Sequence, residues 1–446
     1  MKKYLSTAAL AVLVAGAASA EETAPQSGLE FYGIVDVGVS YDTHGVPNST
    51  VGNVGSFYTV QKASNKASWG LSQSGMGQSR LGLKGADDLG DGWTGLFKLE
   101  TAINPTGGNL TDGLKSVIHN NGVAQANQTA GVDSSQSGQL FSRAAYVGIS
   151  NDAYGTLTVG RQTTLNADAI STYDPIYNAY AFSLIGFSGT AAGSGSTEDA
   201  RWDNSVKYLY AYGPARLGLQ YQFGGTVTRN DVGYSADLGA DYAGLSVDAI
   251  YTKKKDEVSA GSLSAQQVAA TQALGFDPDN SFAATVSDNE SYTIAARYSL
   301  GKLKVYGGYE YIRSTNPSSP LAPGFVDIGG YTGSVVNNAA FTKPREQSIA
   351  WTGARYQVTQ ALEVDGAYYY LHQNSYATGA NAGCNDTRAG NCSGDEHVVS
   401  LVADYHFSKK FDSYAGVEYS QALNGLASGF YHNNNLSPTV GIRYTF

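Results

Sequence analysis

The chain ends in the sequence VGIRYTF, residues 440–446, in which apolar and polar positions alternate. Successive side chains of a β-strand point to opposite faces, so this stretch predicts a strand with one wholly apolar face. The other face carries Gly, Arg and Thr. The same alternation recurs along the chain, at 217–223, 292–300, 362–370 and 399–407. These repeats predict an all-β protein.

Alternation alone does not distinguish a soluble β-sandwich from a transmembrane barrel, because both have one apolar and one polar face per strand. The connections favour the barrel: tight turns at 87–92, 213–214 and 301–302 alternate with long Gly-, Ser- and Asn-rich stretches. The strand ends are rich in Tyr, Phe and Trp, which suit the two interfaces of a membrane. The long stretches are 42–75, 102–138, 253–289, 314–345 and 372–396.

We predict sixteen strands that close into one antiparallel transmembrane β-barrel. Closure removes the sheet edges, whose polar groups lipid cannot satisfy. A barrel of about sixteen to eighteen strands leaves an aqueous channel. The fourth, fifth and twelfth strands alternate less regularly than the others. The predicted spans are 30–41, 77–86, 92–101, 140–150, 154–161, 201–212, 215–223, 233–242, 243–252, 290–300, 303–313, 346–356, 361–371, 397–407, 411–421 and 437–446.

The start of the chain has the three parts of a secretory signal peptide. Two lysines follow Met1, residues 8–18 are apolar, and A-S-A at 18–20 matches the A-x-A cleavage pattern. The apolar run is too short for a membrane-spanning helix, which needs about 20 residues. We predict that residues 1–20 are a signal peptide and that 21–446 form a single barrel domain in the outer membrane.

Composition excludes several classes of protein. The net charge of −10 argues against nucleic-acid binding, which needs basic patches. Charged residues make up only 15% of the chain, whereas Gly (54) and Tyr (32) are abundant, as in barrels rather than soluble domains. The sequence shows no nucleophile elbow, phosphate loop or calcium loop. We therefore predict no enzyme activity, no cofactor and no metal site.

Five stretches, in chain order, resemble the general Gram-negative porin family. The resemblance implies a homotrimer surrounded by outer-membrane lipid and lipopolysaccharide, which passes small hydrophilic solutes and ions. It also implies a third extracellular loop, about 162–200, that folds into the lumen. In this family the barrel-insertion machinery recognises the final strand, which here contains Tyr444 and Phe446. The five stretches are FYGIVD at 31–36, SRLGLKG at 79–85 with the turn at 87–92, YGTLTVGRQ at 154–162, DNSVKY at 203–208 and VGIRYTF at 440–446.

A porin needs a charged constriction rather than a catalytic site, because rings of charge in a narrow pore set its ion preference. Strand alternation points Arg80 and Arg201 into the lumen. The resemblance adds two arginines to the wall and two aspartates to the third loop opposite them. Charges at the narrowest point lie closest to the ion, so we predict a weak preference for anions. The full predicted set is Arg80, Arg143, Arg161, Arg201, Asp168 and Asp174.

Cys384 and Cys392 lie in the loop between the thirteenth and fourteenth predicted strands. Two cysteines in an exported protein most often pair, because the periplasm is oxidising, so we predict a disulfide. Of the six histidines, only His406 sits clearly on a strand, together with Asp404. Two other functions stay open beside the general porin: a substrate-specific outer-membrane channel, and an adhesin or binding protein that acts through its long loops.

Overall fold

The computed structural model describes most of the chain that follows the predicted signal peptide. Residues 1–20 and Cys384 lie outside the described residues. Within those residues, no helix is both long enough and apolar enough to cross a membrane. The described ranges are 28–45, 66–110, 122, 140–186, 200–224, 232–261, 263, 265–278, 281–328, 331–379 and 391–446.

Strands dominate the described ranges, which also hold two short α-helices and one 3-10 turn at Gly425–Ala427. The helices are α1 (Leu165–Tyr173) and α2 (Ala265–Ala273). The strands are β1 (Gly28–Gly45), β2 (Lys66–Gln73), β3 (Arg80–Gly90), β4 (Trp93–Asn104), β5 (Asn109–Leu110), β6 (Ala144–Asn151), β7 (Gly155–Thr163), β8 (Arg201–Tyr212), β9 (Ala215–Gln222), β10 (Gly233–Tyr242), β11 (Leu245–Gly261), β12 (Ser281–Leu300), β13 (Leu303–Thr315), β14 (Gly324–Ile328), β15 (Tyr331–Asn337), β16 (Arg345–Gln357), β17 (Leu362–Gln373), β18 (Gly394–His406), β19 (Phe411–Asn424) and β20 (Asn434–Thr445).

Sixteen of these strands form one closed antiparallel barrel, so the predicted architecture and strand count are confirmed. β1 pairs with β20 through residues 34–40 and with β3 through residues 28–34, which closes the first strand on the last. Phe446 completes this seam, because its backbone N–H and C=O each bond to Gly33 at 3.1 Å. A Cβ atom at residue 33 would lie 2.5 Å from the Phe446 ring, so only glycine fits there. Of the other four, β2 continues the wall strand that β3 begins, while β5, β14 and β15 lie outside the wall.

The wall strand next to β1 is interrupted. β2 pairs with the upper part of β1, and β3 pairs with the lower part, while residues 74–79 leave the ladder between them. Asp36 fills the gap: its carboxylate accepts hydrogen bonds from the N–H groups of Met76 (2.8 Å) and Gly77 (2.9 Å). These bonds satisfy backbone donors that the ladder no longer pairs. The break in the wall strand is therefore held in one conformation by the Asp36 carboxylate.

The two faces of the strands are inverted relative to a soluble protein. In the final strand Val440 and Ile442 are 54% and 52% exposed, whereas Arg443 is only 4% exposed. The same holds around the barrel, where the buried set includes many charged and polar side chains and the exposed set is rich in Leu, Val and Tyr. A sandwich in water would bury the apolar face. The exposed apolar face is the surface that a barrel presents to lipid.

Aromatic rings mark two belts on the outer surface. At the end with the short turns, rings follow one another across the seam, each 4.9–6.3 Å from the next. At the end with the long loops, Tyr251 lies 6.1 Å from Tyr234 and 5.1 Å from Tyr292. Amphipathic rings favour membrane interfaces, so the belts bound the lipid-facing zone. The rings of the first belt belong to Tyr405, Phe407, Phe411, Tyr444, Phe446 and Phe31.

Two wall strands continue beyond the second belt. β11 and β12 stay paired as far as Gly261 and Ala283, which lie well past Tyr251 and Tyr292. There β12 also pairs in parallel with β15, and β15 pairs with β14. The long loops on this side of the barrel therefore share a small sheet above the membrane zone.

Candidate pore constriction

A segment that follows β7 turns back into the barrel. We call residues 164–186 the inner segment. It begins with α1, whose first turn is capped by Thr164, because the Oγ1 of Thr164 accepts a hydrogen bond from the N–H of Ala167 at 3.1 Å. Burial of its apolar side chains against inward-facing apolar residues of the wall holds the inner segment in the lumen. The cluster joins Leu165, Ile170, Tyr173, Ile176, Phe182 and Ile185 of the segment to Ile250, Ile312, Ile349, Trp351, Tyr369, Val398 and Tyr414 of the wall.

The turn after α1 is bonded directly to two side chains of β16. Trp351 donates its indole N–H to the carbonyl of Tyr173 at 3.0 Å. Arg355 donates to the carbonyls of Asp174 and Pro175, both at 2.6 Å. Its guanidinium also lies 3.3 Å from the ring centroid of Tyr177, a cation–π contact. These contacts fix the backbone of the turn against β16.

Asp174 belongs to this anchor and not to the pore surface. It is 0% exposed, and its Oδ1 accepts a hydrogen bond from the hydroxyl of Tyr369 at 2.6 Å. The N–H groups of Ile176 (3.1 Å) and Asn178 (2.8 Å) bond to the same carboxylate. Burial raises the pKa of Asp174, and the bond from Tyr369 opposes that shift. The expectation that Asp174 faces the arginines across the pore is therefore wrong, because the turn buries it against the opposite wall.

The far end of the inner segment is tied to the interrupted wall strand. The N–H of Ala181 donates to the carbonyl of Gly75 at 2.9 Å. The ring of Phe182 packs edge-on against Tyr414, with centroids 6.2 Å apart. Tyr414 in turn donates its hydroxyl to Asp36, at 2.6 Å, so the same carboxylate supports the break and the segment. The inner segment is thus anchored at both ends.

The four predicted arginines lie together on the wall formed by β3, β4, β6, β7 and β8. Arg143 donates to the carboxylate of Glu100, and Arg80 lies 3.7 Å from the same carboxylate. Arg161 donates to Asp203. The charge of Arg201 interacts repulsively with Arg143 and Arg161, and its Nε has no hydrogen-bond partner among the described residues. Four guanidinium groups against two carboxylates leave an excess of positive charge on this wall.

Tyr180 is the residue of the inner segment that meets the arginines. Burial raises the pKa of its hydroxyl, while the charges of Arg143, Arg201 and Arg80 oppose that shift. The hydroxyl also forms a hydrogen bond with Arg143. The segment therefore presents a phenol, rather than a carboxylate, to the positive wall.

The orientation of Arg201 does not follow from simple alternation. Between β7 and β8 the register shifts, since Gly160 pairs with Ser205 but Gln162 pairs with Trp202. Asn204 in this irregularity has a φ of 48°. Trp202 and Ser205 are both fully buried, although they are three positions apart. Strict alternation with Val206 and Tyr208 would point Trp202 outward, but the bulge changes the face of the strand and Trp202 is buried.

Asp168 lies in the inner segment and pairs with a lysine of the wall rather than with an arginine. It lies in the first turn of α1, where a carboxylate is favoured by the helix dipole. Its Oδ2 accepts a hydrogen bond from the Nζ of Lys207 at 2.7 Å. Lys207 also bonds to the carbonyl of Thr163 at 3.0 Å. Asp168 and Lys207 thus form an ion pair beside the arginine cluster, and Asp168 does not offset the arginines directly.

Sequence reasoning missed three members of this site. Glu100 and Lys98 are two positions apart on β4, so strand periodicity puts both side chains on the same face, which is the lumen face. Gln78 accepts a hydrogen bond from Arg143 but lies in the interrupted part of a wall strand. Tyr180 lies in the inner segment, where no periodicity assigns a face. Only Glu100 could have been found from the pattern.

The remaining predicted sites lie elsewhere. Cys392 is disulfide-bonded, but Cys384 lies outside the described residues, so their pairing stays a prediction. Tyr444 and Phe446 lie in the closing seam, with ring centroids 6.2 Å apart. Their role in assembly stays a prediction. His406 lies on β18 with its Nε2 3.9 Å from Asp404.

The chain is similar to known outer-membrane proteins along its whole length. The Gram-negative porin family matches residues 6–425. An outer membrane porin protein of Bordetella pertussis is 25% identical over 471 residues, which cover 100% of both chains. Outer membrane porin protein 32 of Delftia acidovorans is 28% identical over 309 residues, 69% of this chain and 68% of the relative.

Solved structures share the fold at lower identity. The anion-selective porin from Comamonas acidovorans superposes with a TM-score of 0.61 at 19% identity, covering 94% of this chain and 100% of that one. The trimer form of OmpT from Vibrio cholerae gives 0.56 at 15% identity, over 94% and 99%. The family match confirms the resemblance found in the sequence and the predicted outer-membrane location. The chain belongs to the Gram-negative porin family and is an outer-membrane channel.

Proposed function

We propose that this porin passes small hydrophilic solutes and ions by passive diffusion, with a weak preference for anions. The observation that carries the proposal is the excess of guanidinium groups opposite the inner segment, where Arg80, Arg143, Arg161 and Arg201 meet Glu100 and Asp203. Fixed charges that line a narrow aqueous pore set its ion preference. The anion-selective porin from Comamonas acidovorans, which shares the fold, supports the same sign.

The net charge of the whole chain is −10, which by itself would favour cations over anions. Charges separated from the ion by more than a Debye length, about 10 Å at 0.1 M salt, are largely screened. Several acidic groups also face cations within the wall, as Asp168 faces Lys207 and Asp412 faces Arg443. The arginine cluster therefore outweighs the acidic total in the narrow part of the channel.

Reversal potentials in a potassium chloride gradient test the proposal. Arg201→Gln is the sharpest single change, because the Nε of Arg201 has no hydrogen-bond partner among the described residues and the wall should stay intact. A unit charge about 4 Å from an ion contributes about 1 kcal/mol in water, or roughly fivefold in relative permeability. We expect Arg201→Gln to shift the preference toward potassium by up to that factor, and the double change with Arg80→Gln to shift it further.

Lys409→Gln is the matched control, since it removes the same charge from an exposed residue in the turn between β18 and β19. Its reversal potential should equal that of the native channel. If both arginine variants also equal the native channel, the arginine cluster does not set the ion preference.

Two alternatives are separated by other measurements. A substrate-specific channel would admit one class of sugar faster than its size predicts, whereas a general porin gives liposome-swelling rates that fall smoothly with solute size. An adhesin or an enzyme would give no steady conductance in a planar bilayer.

We also propose a homotrimer, which would bury part of the exposed apolar outer face, in line with the trimer form of the OmpT relative.

A further inference from the structure

A second cluster of chemistry-bearing side chains lies far from the constriction, at the end of the barrel with the short turns. Asp404 and His406 share one face of β18, and Asp412 lies on β19 directly opposite His406. Asp404 and Asp412 are 1% and 6% exposed, and they face the lumen. One possible ligand atom from each of the three residues lies within 4.8 Å of the other two.

The two carboxylates each have one oxygen without a partner. Arg443 donates to the Oδ2 of Asp404 at 3.2 Å and to the Oδ2 of Asp412 at 3.1 Å. The Oδ1 atoms of both aspartates are buried and have no hydrogen-bond partner among the described residues. A buried carboxylate oxygen left without a donor or cation is costly. Two such oxygens beside an imidazole indicate that the cluster is built to receive a ligand.

The charge of the cluster suits a cation. Two carboxylates and one guanidinium leave one negative charge, and Glu363 adds another because it pairs with Asp404 across β17 and β18. The Nε2 of His406 lies 3.9 Å from the Oδ2 of Asp404, which is too far for a hydrogen bond. Because the His406 side chain is also 37% exposed, the imidazole can turn toward an incoming ion. Arg443 holds both carboxylates in place, which is the orienting role of an outer-shell partner.

The mixture of donors identifies the class of ion. Calcium and magnesium favour sites made of oxygen ligands alone, whereas imidazole together with carboxylate suits zinc and related transition-metal ions. Three protein ligands with a fourth position left to water are a common arrangement for zinc. We infer that Asp404, His406 and Asp412 form a site for a divalent transition-metal ion, with zinc as the representative, in the channel mouth that faces the periplasm in bacterial barrels.

Titration calorimetry with zinc chloride tests this inference on the full-length mature protein, purified in detergent without a histidine tag. We expect one zinc ion per chain, and calcium chloride should bind at least about tenfold more weakly. His406→Gln should weaken zinc binding by about tenfold or more, since loss of even an outer-shell partner costs about 10–100-fold. Asp412→Asn should weaken it as well, while its amide oxygen can still accept from Arg443.

The matched control is His44→Gln. His44 and His432 stack with ring centroids 3.9 Å apart at the other end of the barrel and could attract zinc on their own. Binding that survives His44→Gln and is lost in His406→Gln supports the site. Heat-modifiable migration on gels checks that each variant is folded. The inference is overturned if the native protein fails to bind zinc below about millimolar concentrations, or if His406→Gln and Asp412→Asn both bind zinc as the native protein does.

Discussion

The hydrogen bond between Tyr369 and Asp174 offers a direct test of how the inner segment is held. Both residues are 0% exposed, and the hydroxyl donates to the carboxylate at 2.6 Å. Tyr369→Phe removes this one donor and keeps the ring, so packing of the cluster around it is preserved. The segment should then leave the wall more often, because one of its anchors is missing.

The size of the effect follows from the contacts that remain. A hydrogen bond to a charged group contributes about 1.5–3 kcal/mol. Ile176 and Asn178 still donate to Asp174 in the variant, which keeps the loss toward the lower part of this range, at about 2 kcal/mol. Since 1.4 kcal/mol is a factor of ten, the detached state should become about thirtyfold more populated. The bonds from Trp351 and Arg355 persist, so the segment should still return.

Single-channel recording is the assay, because each excursion of a segment that lies in the lumen alters the current. Tyr368→Phe is the control: the neighbouring hydroxyl bonds to the Nδ1 of His397 at 2.8 Å on the exposed face of the strand, opposite to the face that carries Tyr369. We expect about thirtyfold more time in altered current levels for Tyr369→Phe and native behaviour for Tyr368→Phe. Indistinguishable traces from the two variants would refute the role of Tyr369 as an anchor.

Two further predictions concern assembly. Deletion of Phe446 removes two backbone hydrogen bonds to Gly33 and a ring contact with Phe31, so the chain should fail to reach the outer membrane and be degraded in the periplasm. Quantitative blotting of membrane fractions checks this, and normal outer-membrane levels would exclude it. Unheated protein in SDS should migrate as a trimer that dissociates on heating; a monomer band, supported by light scattering in mild detergent, would contradict the homotrimer.

The strands could be predicted because the physical cause of their pattern is uniform. Lipid on one side and water on the other act on every wall strand, so period-2 alternation recurs along the chain and is weak only in the fourth, fifth and twelfth predicted strands. The predicted limits were furthest from the structure in β11 and β12, where pairing continues above the lipid. At the end with the short turns, β3 also continues to Gly90, past its predicted end at residue 86. Closure and turn positions followed from the same pattern.

The site was less predictable because its details depend on departures from that pattern. The bulge near Asn204 changes the face of β8, and nothing in the alternation marks it. The inner segment lacks the period-2 alternation of a strand. The sequence could therefore predict that Asp168 and Asp174 lie in the lumen, but not the direction in which their side chains point. Their real partners, Lys207 and Tyr369, lie on distant strands that only the folded barrel brings near.

The closing seam also constrains how the protein can fold. The bond from Ser437 to Asp42 spans 395 positions of chain, so β1 stays without its final neighbour until nearly the whole polypeptide is available. Contacts of such high contact order form late and slowly. Until they form, the nascent sheet has two open edges that can pair with other chains. Half-closed barrels are therefore prone to aggregate. To avoid this, β1 and β20 must be shielded from other chains until they pair with each other.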